Sequence, residues 1–567
     1  MVNPIKTTSD AQPRTVPDAP KAVKLTETFQ RLKGERHNFE TYWQSLHDYF
    51  YIEARNINRE YYPGTELNVD ALYDSTTLES ADILASGFMN YLTPPTSRWF
   101  ALRAKNPVLH DNKIIGRFLE DVTDQVNYTL NRSNFYNQVI ASFKSSGVYG
   151  TSVMLEEDDD QDDARFYTLP IKQVCIVEDA RGRVAEYYIE FDYTVYQAAS
   201  RWGIESLSTE MQQEFLQDRR SSQKRHTFIL YIGKRNVRDV TKSNKENLPI
   251  EATWVDVKGK RIMEESGYNE FPAFTHRFNK RPFIPWGFSP AMKTLPFARI
   301  LNAIAKTNLR SLMKHTDPPI AVPSNAFIMP FNANPRAVNY YNKNKMDGSK
   351  DIFPFANYGN AQHGMTAIEY YTGQVQSLMY NDVFLAFNQI TKQMNNPEIM
   401  ERINEKMTML APAVGRYISE MLNPIITRTI GILFRKGKLP TPPEEFAMNP
   451  EYEIDFISQL AQAQRRSELN SLVTGLTVVG QMAQFDPDVL DKIDGDQAVD
   501  EAWSILGASQ KILRSDENID KIRQAKAKIA DQQSQMMATQ QGADIAKTVS
   551  EAEKNANEMK AMQGATL

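Results

Sequence analysis

Residues 289–323 read SPAMKTLPFARILNAIAKTNLRSLMKHTDPPIAVP, and the architecture turns on this stretch. From Ser289 to about His315 the pattern is helical, but Met292, Leu295, Ile300, Leu301, Ile304 and Leu309 are spread around the helix instead of lining one face. A segment dense in Pro, Asn, Gly and aromatic residues follows, from TDPPIAVP (316–323) to FANYGNAQHG (355–364), and the helical pattern then resumes over 372–392. Helix, irregular module, helix predicts a hairpin-like projection. Apolar residues on more than one side of its helices predict that each packs against copies of itself or of a neighbour.

On the C-terminal side, a turn at Gln393, Met394, Asn395, Asn396 and Pro397 leads into the longest helical pattern, which runs to about Arg435. Ile399, Ile403, Met407, Leu410, Val414, Ile418, Met421, Ile425 and Leu433 follow near-heptad steps, and Pro412 and Pro424 should bend this helix without ending it. RKGKLPTPPEEF (435–446) is the stop signal, with Gly437 after a basic last turn. A strand at YEIDFIS (452–458) precedes a helical region from Gln459. Beyond Asp516 no aromatic residue occurs, and Ile519, Ile522, Ala525 and Ile529 make a thin apolar stripe, so residues 516–567 are expected to be a polar helical or disordered tail.

On the N-terminal side, residues 150–278 change to short alternating or β-branched runs such as QVCIVED, AEYYIEFDYT and TFILYIGKR, which predict an antiparallel sheet block with a hairpin at DARGR (179–183) and a helical insert near 194–219. Ahead of it lie helices expected at about 70–92, stopped by TPPT, and at 112–131. The first helix shows Leu25, Phe29, Leu32, Phe39, Trp43, Leu46 and Phe50 in alternating steps of four and three, with Arg36 at the one seam position that is not apolar. Residues 1–22 lack apolar periodicity and predict a disordered or extended arm. The fold class is therefore α+β, mainly helical.

Composition bounds the function. The 567 residues carry 41% hydrophobic and 24% charged residues, which suits a packed core, and the net charge of −5 argues against a protein that coats nucleic acid. A channel that DNA slides through is compatible with it, because a dense basic lining would grip phosphates at every step. The single cysteine, Cys175, excludes an intrachain disulfide and a cysteine-based zinc cluster, is expected to be a small buried hydrophobe, and points to assembly in a reducing cytoplasm. The N-terminus shows neither a basic region nor an apolar core of a signal peptide, and no apolar run approaches the roughly 20 residues that span a bilayer; no membrane partner is expected.

Chemical motifs are few. EEDDDQDD (156–163) can supply oxygen ligands to a cation but lacks the glycine turn and distal glutamate of a calcium loop, and reads as a solvated acidic hairpin. The nearest approach to a phosphate loop, Gly431 to Lys438, has one residue too many and is followed by Leu439. The seven histidines show no metal spacing, and no GxSxG elbow occurs. No catalytic, cofactor or metal residues are assigned. THRFNKRPFIPWGFSP (275–290) interleaves His276, Arg277, Lys280 and Arg281 with Trp286, a mixture that serves either phosphate and base contacts or a protein interface.

Six stretches, in order, resemble the head-to-tail connecting (portal) proteins of podovirus-type bacteriophages. They are YDSTTLESADILASGFMNYLTPPTSRWFAL (73–102), FKSSGVYGTSVMLEE (143–157), the 286–323 stretch, APAVGRYISEMLNPIITRTIGILFRKGKLPTPPE (411–444), YEIDFISQLAQAQRRSELNSLV (452–473) and PDVLDKIDGDQAVDEAW (487–503). The resemblance implies a non-enzymatic virion protein whose protomer has wing, stem, clip and crown and assembles into a ring, usually a dodecamer, at one capsid vertex. It implies a wing over 23–288, stem helices at 289–315 and 372–392, a clip at 316–371, a tunnel loop at 393–397, a kinked wing helix and strand over 398–458, and a crown over 459–515. Gln393, Met394, Asn395 and Asn396 would then approach the DNA. Lys343, Lys345 and Lys350 in the clip would meet DNA or a partner. The implied partners are double-stranded DNA passing without sequence specificity, terminase, the major capsid protein, scaffolding or internal core proteins, and the tail adaptor. The alternatives are another ring-forming virion component, such as a tail adaptor or tube protein, and a DNA-processing enzyme, a nuclease or translocase, using the acidic run and the basic aromatic segment.

Overall fold

The four-three seam that starts at Leu25 forms helix α1 (Ala19–Phe50) in the computed structural model of the chain. The structure describes residues 19–58, 72–106, 112–217, 224–239, 241–242, 244–316, 320–321, 353–354, 361–390, 408–448, 451–457, 472–482, 494–506 and 516–563. Residues 19–22 of the expected arm are thus helical, and Ala22 is fully buried; the rest of the arm, 1–18, lies outside the described residues. The first half of α1 sets Ala22, Leu25, Phe29 and Leu32 against Cys175, Tyr188, Ile229 and Val255 of a sheet. Arg36 stays in the apolar seam because its guanidinium is held on several sides: it donates to the Val174 carbonyl at 3.0 Å and the Cys175 Sγ at 3.4 Å, and pairs with Glu40 at 3.0 Å. Burial pushes the Cys175 thiol up to about 11, so it behaves as the expected buried hydrophobe.

Helix α2 (Thr76–Leu92) ends just before Pro94 and Pro95, as the sequence requires. After strand β1 (Phe100–Ala104) come α3 (Lys113–Arg132) and a helix that the sequence pattern does not separate out, α4 (Phe135–Tyr149). Every residue of α4 from Ser142 to Tyr149 is buried, so its C-terminal half has no exposed face to give it a period. Gly150 caps it with φ 82°, and a β-carbon there would lie 2.2 Å from the Gly287 carbonyl oxygen.

The expected sheet block folds as two antiparallel sheets. One pairs β2 (Thr151–Asp159) with β3 (Asp163–Leu169) on one side and β9 (Ala273–Arg277) on the other. The second runs β4 (Val174–Glu178), β5 (Val184–Thr194), β6 (Arg225–Lys234), β7 (Ile250–Asp256) and β8 (Arg261–Tyr268) in sequence order, a meander. The DARGR hairpin joins β4 to β5: the Asp179 carboxylate accepts the Arg181 and Arg183 amides, and Gly182 takes φ 73°. The helical insert is present as α5 (Val195–Trp202), opened by a Thr194–Gln197 capping box, and α6 (Thr209–Gln217).

Ser289 caps α7 (Pro290–Thr316), accepting the Met292 amide at 3.0 Å while Pro290 occupies the first turn. The returning helix differs from the expected 372–392 span. It begins at Ala361 and is broken into α8 (Ala361–Leu378) and α9 (Asn381–Ile390) by Tyr380, whose φ is 60°. Part of the segment read as irregular is therefore helical. The long kinked helix is described from 408: a helix over 408–417, a π-helical turn Ile418–Leu422, and α10 (Asn423–Arg435) with Pro424 in its first turn. Leu410, Met421 and Ile425 are buried as expected, while Ala413 and Tyr417 are buried in place of the expected Val414 and Ile418.

The chain divides into two compact units. The elements above lie mostly in the first, Met1–Phe100, Asp124–Leu439 and Phe456–Ser458. The second comprises Ala101–Thr123, Pro440–Asp455 and Gln459–Leu567. Within it β1 pairs with β10 (Tyr452–Phe456), Arg103 meets Asp455 at 3.2 Å, and Phe118 packs on Phe446 of the short helix α11 (Glu444–Met448) with ring centroids 5.4 Å apart. Helices α12 (Gly495–Leu506) and α13 (Asp516–Gln563) follow, tied by Arg523 to Asp496 at 2.7 Å. The C-terminal tail is thus helical over Asp516–Gln563, with Ile529, Ile545, Val549 and Met559 exposed. Among the described residues, no helix is long and apolar enough to cross a membrane.

Candidate functional site

Helices α7 and α8 form the antiparallel pair that the opening stretch predicts. Phe297 meets Tyr371 with centroids 6.3 Å apart at one end, and Asn308 packs on Gly364 at the other. Gly364 allows the approach, since a β-carbon there would lie 2.4 Å from Asn308 Oδ1. Beyond the pair, Ile320–Ala321 zip antiparallel to Phe353–Pro354, which brings the two ends of the intervening module together. Leu309, Leu312, Met313, Met365 and Tyr370 remain exposed on the pair, most of them by more than half. Exposed apolar surface of this kind marks association.

The residues read as clip or tunnel-loop contacts, Lys343, Lys345, Lys350, Gln393, Met394, Asn395 and Asn396, lie outside the described residues.

The basic-aromatic segment, expected to make interface or DNA contacts, also holds the protein together internally. Arg277, at the end of β9, is 2% exposed and clamps three elements. It pairs with Glu178 before the β4–β5 hairpin, donates to the Gly182 carbonyl at 3.2 Å, and reaches Glu420 of the π turn at 2.7 Å. Lys280 joins the clamp through Glu178 at 2.8 Å and the Gly182 carbonyl at 2.6 Å. Trp286 is buried edge-on against Trp43 of α1, with centroids 4.9 Å apart. His276 is buried beside the Tyr417 ring at 4.0 Å, and burial lowers its pKa to about 3, so it stays neutral. Of the five, only Arg281 faces solvent, its guanidinium 3.6 Å above the Phe288 ring. The partners Glu178 and Glu420 carried no signal in the sequence, because the contacts cross more than ninety residues.

The acidic run forms the expected hairpin, with Asp158, Asp160 and Gln161 exposed at its tip, but its two ends, Glu156 and Asp163, are buried. Glu156 is fully buried, accepts the Thr429 hydroxyl at 2.9 Å, and lies 4.0 Å from Arg428 Nε. Burial raises its carboxyl to about 8 against the pull of Arg428. Arg428 also reaches Asp158 at 3.2 Å and the Glu270 carbonyl at 3.1 Å, while Asp163 takes Lys438 at 2.5 Å. The run is a strand-borne acidic strip that receives the basic side of α10. A signal did exist for Arg428: like Arg36, it stands on the buried face of an apolar helix, between Ile425 and Ile432. Among the described residues, no group of three or more His, Cys, Asp or Glu is arranged to hold a metal ion.

The family model for bacteriophage head to tail connecting proteins matches residues 22–513. The portal protein of Salmonella phage epsilon15 is 30% identical over 539 residues, 93% of this chain and 95% of that protein. The probable portal protein of Bordetella phage BPP-1 is 27% identical over 532 residues, 92% of this chain and 94% of its own length.

Proposed function

The chain belongs to the bacteriophage head-to-tail connecting protein family, and from that premise we propose that it is a phage portal. In this role it is a structural protein of the virion, forming a ring at one capsid vertex through which genome DNA is packaged and ejected. The observation that carries the ring is the α7–α8 pair, whose exposed Leu312, Met313, Met365 and Tyr370 find apolar partners when copies stand side by side. The pair is the stem. The module it bounds is the clip, with Lys343, Lys345 and Lys350, and residues 393–397 are the tunnel loop. The sheets and N-terminal helices make the wing, and 459–515 the crown. The ring is a dodecamer assembled in the host cytoplasm. It meets the capsid protein and scaffolding or internal core proteins through the wing and crown, terminase during packaging, and the tail adaptor afterwards.

The net charge of −5 suits a wall along which duplex DNA slides without sequence-specific grip. Ring assembly is tested by electron microscopy of the purified full-length chain. Closed rings with a central channel are expected, and particles that stay monomeric or dimeric under assembly conditions overturn the reading.

A further inference from the structure

The loop between Asn279–Lys280 and Gly287–Phe288 presents Phe283 wholly to solvent: the residue is 100% exposed. Its backbone holds φ 62°, a left-handed conformation that a bulky side chain adopts only under constraint. The constraint is local. Pro282 and Pro285 flank the position, the Ile284 amide returns to the Arg281 carbonyl, and the short antiparallel ribbon closes the loop on itself. The Lys280 anchor and buried Trp286 bind both ends of the loop to the protein body. An aromatic ring displayed on a stiffened, strained loop is an anchor with no use inside its own protomer.

The same unit carries a matching socket. Helices α2 and α9 border a half-open pocket of about 420 Å³, with Leu78, Ile83, Phe384 and Leu385 as apolar walls and Glu79 and Asp82 on its lining. A cavity of about 150 Å³ already holds a benzene ring. The charges complement each other: the knob stands two residues from exposed Arg281, and the socket carries two carboxylates, of which Asp82 is held by Lys144 at 2.5 Å. Knob and socket share no residue, so one protomer can use both at once. That is the heterologous head-to-tail contact that closes rings.

We propose that Phe283 of one copy seats in the α2–α9 cavity of the next copy around the ring. The joint rests on the ring reading above and adds to it a specific contact between neighbouring wings. It is tested with the full-length chain carrying Phe283→Cys and Leu385→Cys, oxidised after assembly and run on a denaturing, non-reducing gel. A ladder of covalent multimers from the double variant, absent from either single variant, is expected. Maleimide labelling of the Leu385→Cys single variant should be fast in the monomer and suppressed in the ring. Phe283→Asp should lower ring yield about tenfold at fixed concentration while leaving the monomer Tm unchanged. Rings that form without the ladder sink the joint and leave the ring reading intact. If the thiol introduced by Leu385→Cys is shielded equally in monomer and ring, another part of the same chain fills the socket, which also sinks the joint. Wild-type chains that never close into rings remove the ring reading and the joint together.

Discussion

Tyr42 donates its hydroxyl to the Met292 carbonyl oxygen at 3.0 Å, and this is the acceptor that Pro296, inside α7, leaves without an amide partner. The first helix therefore repairs a defect in α7 from a separation of 250 residues. Tyr42→Phe is expected to lower stability by about 1–2 kcal/mol, the cost of an unsatisfied part-buried acceptor. In a Pro296→Ala background the amide returns and the loss should shrink. Urea midpoints across this double-mutant cycle check it, and full additivity would break the link.

Gly87 lets α9 sit down on α2. A β-carbon there would fall 2.2 Å from Phe384 Cγ, a clash with a ring that is itself 5% exposed. Gly87→Ala should cost about 1–3 kcal/mol by overpacking, and adding Phe384→Leu should recover part of the loss. Thermal denaturation of the three variants decides; a neutral Gly87→Ala would mean that the helices do not meet there.

Arg277 ties the β4–β5 hairpin to the π turn through Glu178 and Glu420. Arg277→Met removes one partner of a largely buried pair and is expected to destabilise by about 3 kcal/mol. With Glu420→Gln added, the combined loss should be less than the sum of the single losses. Additive losses in denaturant titration would show that the two groups are not coupled.

Glu156 makes stability depend on pH. Its folded-state pKa, raised to about 8, exceeds the ordinary 4.5, so the fold binds its proton more tightly than the unfolded chain does. This contribution is complete below about 4.5 and is lost as pH rises through about 8. Glu156→Gln should flatten the decline of the wild-type urea midpoint between those limits. An unchanged slope would show that Arg428 keeps the carboxylate ionised throughout.

The exposed apolar surface of the α7–α8 pair separates assembly from folding. Leu312→Ser with Met313→Ser removes exposed apolar groups, so monomer stability should shift by no more than about 0.5 kcal/mol while ring yield falls in size-exclusion chromatography. Unchanged ring yield would place the contact between copies elsewhere.

Much of the element plan was legible because it depends on local pattern. The 25–50 seam, the TPPT stop, the DARGR hairpin and the SP start of α7 each act within one or two turns of chain. The family, too, was legible from the order of six short stretches. What pattern could not show was where polar groups would end. Arg277, Lys280 and the acidic run look like surface chemistry in the sequence, because charge is normally solvated. The burial of Arg277 and Glu156 became possible only when Glu178, Glu420 and Arg428 arrived from distant parts of the chain.

For the opening stretch the division is equally physical. The sequence alone determined that 289–315 would be a helix and that a module would separate it from a returning helix, since capping residues and apolar spacing act locally. Only the tertiary structure decided that the return would start at Ala361 and break at Tyr380, that Gly364 would receive Asn308, and that Tyr42 would satisfy the carbonyl freed by Pro296. Those outcomes depend on the close approach of segments far apart in the chain, which no local pattern encodes.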